Sequence, residues 1–127
     1  MSSVHLPLFL IYPLSKSILL FIPTGPPEAV RKCSIGNQST TSLYVECIPG
    51  DNGALKQEFT VEVYNAVRQS LHANYTSSTR PAFHIQDLPP GTPFTLVLYA
   101  SNARGRSHSF SLPGSTLGEP EKHIGNQ

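Results

Sequence analysis

Tryptophan is absent from the sequence, methionine occurs once, and charged residues make up only 13% of the 127 positions. With a formal net charge of +1, the chain lacks the concentrated Lys and Arg that nucleic acid and anionic membranes reward, and neither is expected to bind it. Also missing is a phosphate-binding glycine loop, whether G-x-x-x-x-G-K-[ST] or G-x-G-x-x-G entering a helix. The five histidines, His5, His72, His84, His108 and His123, have no metal-ligand spacing with one another or with the cysteines. Ser107-His108-Ser109 sets a base beside two hydroxyls, but neighbours on a strand point to opposite faces, so an ordinary surface strand is expected there. These absences predict no catalytic residue, no metal, no cofactor and no small-molecule substrate.

Long apolar runs are missing as well. Residues 6–22, LPLFLIYPLSKSILLFI, are apolar but broken by Pro7, Pro13 and Lys16, short of the ~20 residues that a membrane-spanning helix needs. Two readings of residues 1–25 stay open. As a secretory leader the segment has an apolar run from Leu6 to Leu14, but no charge precedes it beyond the partly titrating His5, and no small-x-small cleavage site follows. As a translated intron end it would be rich in Leu, Phe, Ile, Pro and Ser, with the join near Thr24-Gly25. Residues 118–127 are polar and read as a tail or linker.

What remains, residues 26–117, has room for one domain and alternates with period two. Phe59, Val61 and Val63 share one face of EFTVEVY, while Glu58, Thr60 and Glu62 share the other, the pattern of a half-buried strand. SLYVECI places Leu43, Val45 and Cys47 inward, AFHIQDL does so with Phe83 and Ile85, and FTLVLYA with Phe94, Leu96, Leu98 and Ala100. VRKCSI, SLHANYT and HSFSLPGSTL complete seven strands, joined by segments rich in turn residues such as PGDNGA, DLPPGT and NARG. Short strands at this spacing, with no helical period between them, predict an all-β sandwich or barrel.

The series Leu88, Pro90, Gly91, Thr92, Phe94, Leu96, Leu98, Ala100, Asn102, Gly105, Ser107 resembles the E–F corner, F strand and F–G turn of fibronectin type III domains. That resemblance implies a seven-stranded immunoglobulin-like β-sandwich in which Leu88 plugs the core, Pro90-Gly91-Thr92 reverses the chain and Gly105 supplies a positive φ. Two departures matter. Phe94 stands where the family usually has Tyr, which removes a corner hydrogen bond worth about 1 kcal/mol. Cys47 stands where the family tends to place Trp, which leaves a hole. In this fold Cys33 faces inward on strand A, next to strand B, so a Cys33–Cys47 bridge is the one internal disulfide that the two cysteines allow. Two buried free thiols are the other reading.

Asn37-Gln38-Ser39 and Asn74-Tyr75-Thr76 are N-glycosylation sequons on expected surface positions. With a disulfide they would favour an oxidising compartment. Candidate contact loops are Asp51 and Asn52 between B and C, and Arg104, Gly105 and Arg106 between F and G. The latter lacks the Asp of an integrin-binding Arg-Gly-Asp. Outward Tyr44, Ile48, Val97 and Tyr99 are candidates for an apolar patch. The stretch VRKCSIGNQSTTSLYVECIPGDNGALKQEFTVEVY is similar to the membrane-proximal fibronectin type III domain of Sidestep-type immunoglobulin-superfamily receptors of arthropods. It implies a spacer or adhesion element of a cell-surface receptor. The partners would be neighbouring immunoglobulin-like domains of a longer chain or another cell-surface protein, with the membrane reached only through parts outside this chain. A small secreted binding protein acting through the B–C and F–G loops is the alternative.

Overall fold

The structure, a computed structural model, describes residues 22–120; residues 1–21 of the leader expected over 1–25, residues 121–127 of the tail expected over 118–127, and with them His5 and His123, lie outside it. Among the described residues eight strands follow one another: β1 Arg31–Gly36, β2 Leu43–Ile48, β3 Glu58–Asn65, β4 Ser70–Ser77, β5 Ala82–Ile85, β6 Pro93–Asn102, β7 Gly105–Arg106 and β8 Phe110–Ser115. Seven of them answer to the expected strands. The eighth, β7, has two residues that pair with Ser101 and Asn102 at the end of β6, too few for any alternation to show.

Two antiparallel sheets form. One has the order β1-β2-β5; the other runs β4-β3-β6-β7, with β8 also paired to β6. The alternation explains how they meet. Leu43, Val45, Phe83 and Ile85 of the first sheet are buried, as are Phe59, Val61, Val63, Phe94, Leu96 and Leu98 of the second, and they form one core. Facing apolar sides at the usual sandwich spacing of ~10 Å remove both from water, and each fully buried Leu, Val or Phe contributes about 1.5–3 kcal/mol. Leu88 is buried and ties to the turn before β2, its N–H donating to the Thr41 carbonyl at 3.0 Å. The residue that the corner motif singles out thus closes one end of the core.

The first strand pair is irregular. Arg31 lies opposite Ile48 and Ser34 opposite Glu46, so Lys32 and Cys33 together face the single residue Cys47. This is a β-bulge, with Lys32 at φ 55°. It brings Cys33 beside Cys47, and the two form a disulfide with Cα atoms 4.0 Å apart. The bridge occupies the place where a larger residue was expected, and a groove of about 240 Å³ remains at the surface beside Cys47, along Pro49, Arg80 and Pro81. On the opposite side of the sandwich Gly114 of β8 closes the seam. A Cβ there would meet the tip of the Ile35 side chain, so a larger residue would require that side chain to shift.

The corner hydrogen bond that Phe94 cannot make is supplied from elsewhere. Thr116, 4% exposed, donates its hydroxyl to the Pro89 carbonyl at 2.7 Å and accepts the Thr92 N–H at 3.0 Å. Its own N–H donates to the Thr92 carbonyl at 3.1 Å. One hydroxyl therefore satisfies two backbone groups on either side of the Pro-Gly turn, and the Phe94 ring stays in the core at 1% exposure. Replacing Thr116 by Val keeps the volume and orphans both groups. Chemical unfolding of T116V should show a loss of about 1–3 kcal/mol, whereas T116S, which keeps the hydroxyl, should lose less; equal losses would mean that the methyl, not the hydroxyl, holds the corner.

Candidate interaction surfaces

At the pole where β6 ends, three separate segments are tied to one side chain. Asn102 Nδ2 donates to the carbonyls of Gly25 and Asn52, each at 2.8 Å, and its Oδ1 accepts the Arg104 N–H at 2.7 Å. The incoming chain is held further by Gly25 N–H donating to the Gly53 carbonyl at 3.1 Å and Glu28 N–H to the Asp51 carbonyl at 2.8 Å. Gly53 has φ +71°, and a Cβ on it would strike the Gly25 carbonyl oxygen, so the approach requires glycine on two counts.

The candidate contact residues are placed by this arrangement. Asp51 and Asn52 are exposed, yet their side-chain oxygens are turned back on the loop: Asp51 Oδ2 accepts the Gly53 N–H at 3.0 Å and Asn52 Oδ1 the Ala54 N–H at 2.9 Å. Such turns stiffen a loop from within. Arg104 sits at the tip of the β6–β7 hairpin, and Gly105 has φ +134°. Arg106 is exposed but folds back over the sheet. Its guanidinium lies over the Tyr99 ring, 4.2 Å from the centroid, a cation–π contact.

Tyr44, Ile48, Val97 and Tyr99, the candidates for an apolar patch, do not form one. Tyr44 and Ile48 belong to β2, Val97 and Tyr99 to β6, and their outward sides face away from each other across the sandwich. Tyr99 is also covered, at 8% exposure. A strand's alternation tells which residues point outward, but not which sheet the strand joins.

Instead each outer face has its own character. On the three-stranded sheet, Arg80 pairs with Glu46 at 3.3 Å, both exposed, while the Tyr44 hydroxyl donates to Glu46 at 3.1 Å and Tyr44 meets the His84 ring edge-on. Exposed pairs of this kind add little stability; they make the face polar. On the five-stranded sheet the Tyr64 hydroxyl donates to Glu62 Oε1 at 2.8 Å and the Tyr99 hydroxyl to Oε2 at 3.4 Å. The Tyr64 bond, with lesser help from desolvation and the Glu62 charge, holds that phenol above its ordinary pKa. Two aromatic rings, one carboxylate and one arginine are thereby fixed on a sheet surface.

The sequons fall on different ground. Asn37 follows β1 at φ 49°, and the Ser39 hydroxyl of its sequon is engaged by the Thr41 N–H at 3.1 Å and by the Ser42 hydroxyl at 2.7 Å. Asn74 and Thr76 are both exposed on β4, an edge strand. Ser107, beside His108, uses its hydroxyl on the backbone: it accepts the Ala100 N–H at 2.9 Å and donates to the His108 carbonyl at 2.8 Å. No group of three His, Cys, Asp or Glu side chains among the described residues is arranged to hold a metal ion.

The architecture, three strands against five with the third-to-sixth strand pairing at its centre, is that of immunoglobulin-like sandwiches. Solved structures that share the fold include fibronectin type III domains. The chain is similar to domains d3–d4 of the rat CD45 extracellular region, with TM-score 0.66 and 20% identity over 73% of this chain and 51% of that one. It is similar to the twitchin kinase region from C. elegans, with TM-score 0.64 and 24% identity over 76% of this chain and 18% of that one. It is also similar to the FN5 domain of Drosophila Lar, with TM-score 0.57 and 16% identity over 77% of this chain and 100% of that domain. The chain thus spans about half of the CD45 chain and all of the single Lar domain. No protein-family model and no curated protein matches it.

The bonds of Asn102 yield the prediction. N102A leaves the Gly25 and Asn52 carbonyls without their donor, at about 1–3 kcal/mol in total. Hydrogen exchange should quicken at Gly25, Gly53 and Glu28 while the centre of β3 and β6 keeps its protection; uniform quickening would contradict a local clamp.

Proposed function

We propose that this chain is an extracellular spacer or adhesion module of a cell-surface receptor, similar in kind to the membrane-proximal fibronectin type III domain of Sidestep-type receptors. The observation that carries the proposal is the cross-strand bridge Cys33–Cys47. Such bridges persist in secreted and surface proteins and are rare in the cytosol. The likeness to the CD45 extracellular region and the two surface sequons support the same compartment. Partners would be neighbouring immunoglobulin-like domains of a longer chain or another cell-surface protein, with the membrane reached through other parts of that chain.

The mechanism is geometric. Gly25 is anchored beside Asn102 at one pole, and Leu117 at the other, where its carbonyl accepts the Gly91 N–H at 2.8 Å and its N–H donates to the Ser39 carbonyl at 2.8 Å. Between the poles run the ten residues of β6, about 33 Å at ~3.3 Å per residue. A domain entered and left at opposite ends adds its full length to a stalk. Tension on the entering segment pulls β1 away from β2, and the bridge stops that separation at Cys33.

Force spectroscopy on the full chain held at both ends tests this. Oxidised molecules should show a contour-length gain on unfolding that is shorter than reduced ones by about 50 Å, since the bridge hides a separation of 14 residues at ~3.3–3.6 Å each. The oxidised chain should also yield at higher force. Equal forces with and without reductant would count against a mechanical role for the bridge.

A further inference from the structure

On the outer face of the five-stranded sheet Asn74 lies opposite Glu62, and Glu62 in turn opposite Val97. Toward the β3–β4 turn, Leu71 lies opposite Tyr64 and is 52% exposed. Cβ atoms of facing residues are ~4.5–5.5 Å apart and diagonal ones ~7–8 Å, so a group built out from Asn74 Nδ2 starts above Glu62 and within reach of the Tyr64 ring. Beside that ring a shallow groove of about 210 Å³ runs along Asn65, Ala66, Gln69 and Thr95. Tyr64 is held in place through its hydroxyl on Glu62.

These groups suit a pyranose. One side of such a ring is a sheet of C–H bonds, which packs on an aromatic face and its negative quadrupole; the rim carries hydroxyls, which a carboxylate accepts. We propose that the N-linked glycan on Asn74 folds back onto this face, its first N-acetylglucosamine resting over Tyr64 and Leu71. Attachment forms a bond between Asn74 Nδ2 and the anomeric carbon of the sugar. The amide gives up one proton, and the lipid-diphosphate oligosaccharide donor leaves as the lipid diphosphate. The sugar then caps the aromatic face, and the polar face around Glu46, Arg80 and His84 is the one left open to a protein partner.

The two sequons are unequal acceptors under this account. The Ser39 hydroxyl is occupied once the turn between β1 and β2 forms, so Asn37 is modified only before folding. Among the described residues the Thr76 hydroxyl makes no hydrogen bond, and Asn74 stays open on an edge strand.

The proposal rests on the reading of the chain as exported, and the test separates the two. The full chain is expressed in cultured animal cells behind a supplied secretion leader, so a failure of the chain's own export bears on the extracellular reading alone. Glycopeptide mass spectrometry reads occupancy. Proton NMR reads contacts from the N-acetyl methyl to the Tyr64 ring and Leu71 methyls, and tetranitromethane reads the reactivity of Tyr64. The expected result is an occupied Asn74, those contacts present, and nitration of Tyr64 several-fold slower than in folded N74Q; L71S should weaken the contacts while leaving occupancy unchanged. The proposal is overturned by an unoccupied Asn74 in folded, exported chain, or by an occupied Asn74 with no contacts and unchanged nitration. It is overturned equally if Tyr64 is shielded to the same degree in N74Q by a concentration-dependent dimer.

Discussion

The alternation along β6 is the constraint on which the rest depends. Its inward residues Phe94, Leu96, Leu98 and Ala100 are all essentially removed from water, and its backbone pairs with β3 on one side and with β7 and β8 on the other. A slip of one residue would turn that whole set to solvent, so the register of β6 sets the register of three neighbours. Both ends of the strand are then pinned by side chains whose partners are remote in sequence. Thr116 holds the corner before Pro93, and Asn102 holds the far pole. Cooperativity in this domain follows from that arrangement, because core packing and end closure share one strand.

The three-stranded sheet is organised differently. β1 is an edge strand with a bulge and little buried side-chain area, its residues ranging from exposed to half-buried. Such a strand pairs weakly on its own. The disulfide to Cys47 compensates, and by chain-entropy arguments a closed loop of about this size contributes roughly 3 kcal/mol. Its placement also matters to the proposed stalk role, because it lies on the strand that follows the segment anchored at Gly25.

Much of this was legible in the sequence wherever one face of a strand is buried. β2, β3 and β6 announce themselves by period two, and the corner series from Leu88 to Ser107 points to the fold type. Where burial is even or scattered, the signal fades. Edge strand β4 has exposed residues on both sides of its alternation, and β7 is too short to alternate. The features that escaped reading are long-range. The bulge at Lys32 and Cys33 depends on the partner strand, Thr116 acts on residues 24 and 27 positions away, and Asn102 reaches carbonyls 77 and 50 positions away. Tyr99 read as an outward, open aromatic; it is covered because the hairpin after β6 lays Arg106 across it. Position in the strand was visible, and the neighbour that covers it was not.

The described surfaces comprise loops braced at one pole, a polar sheet face and an aromatic sheet face. The reading as an extracellular module stands most directly on the redox state and location of the native chain. Surface labelling of intact source cells, followed by non-reducing peptide mapping of the labelled fraction, measures both at once. The account predicts that peptides of this chain are labelled from outside and that Cys33 and Cys47 are recovered as one linked pair. Peptides found only in the unlabelled interior, with both thiols free, would contradict it.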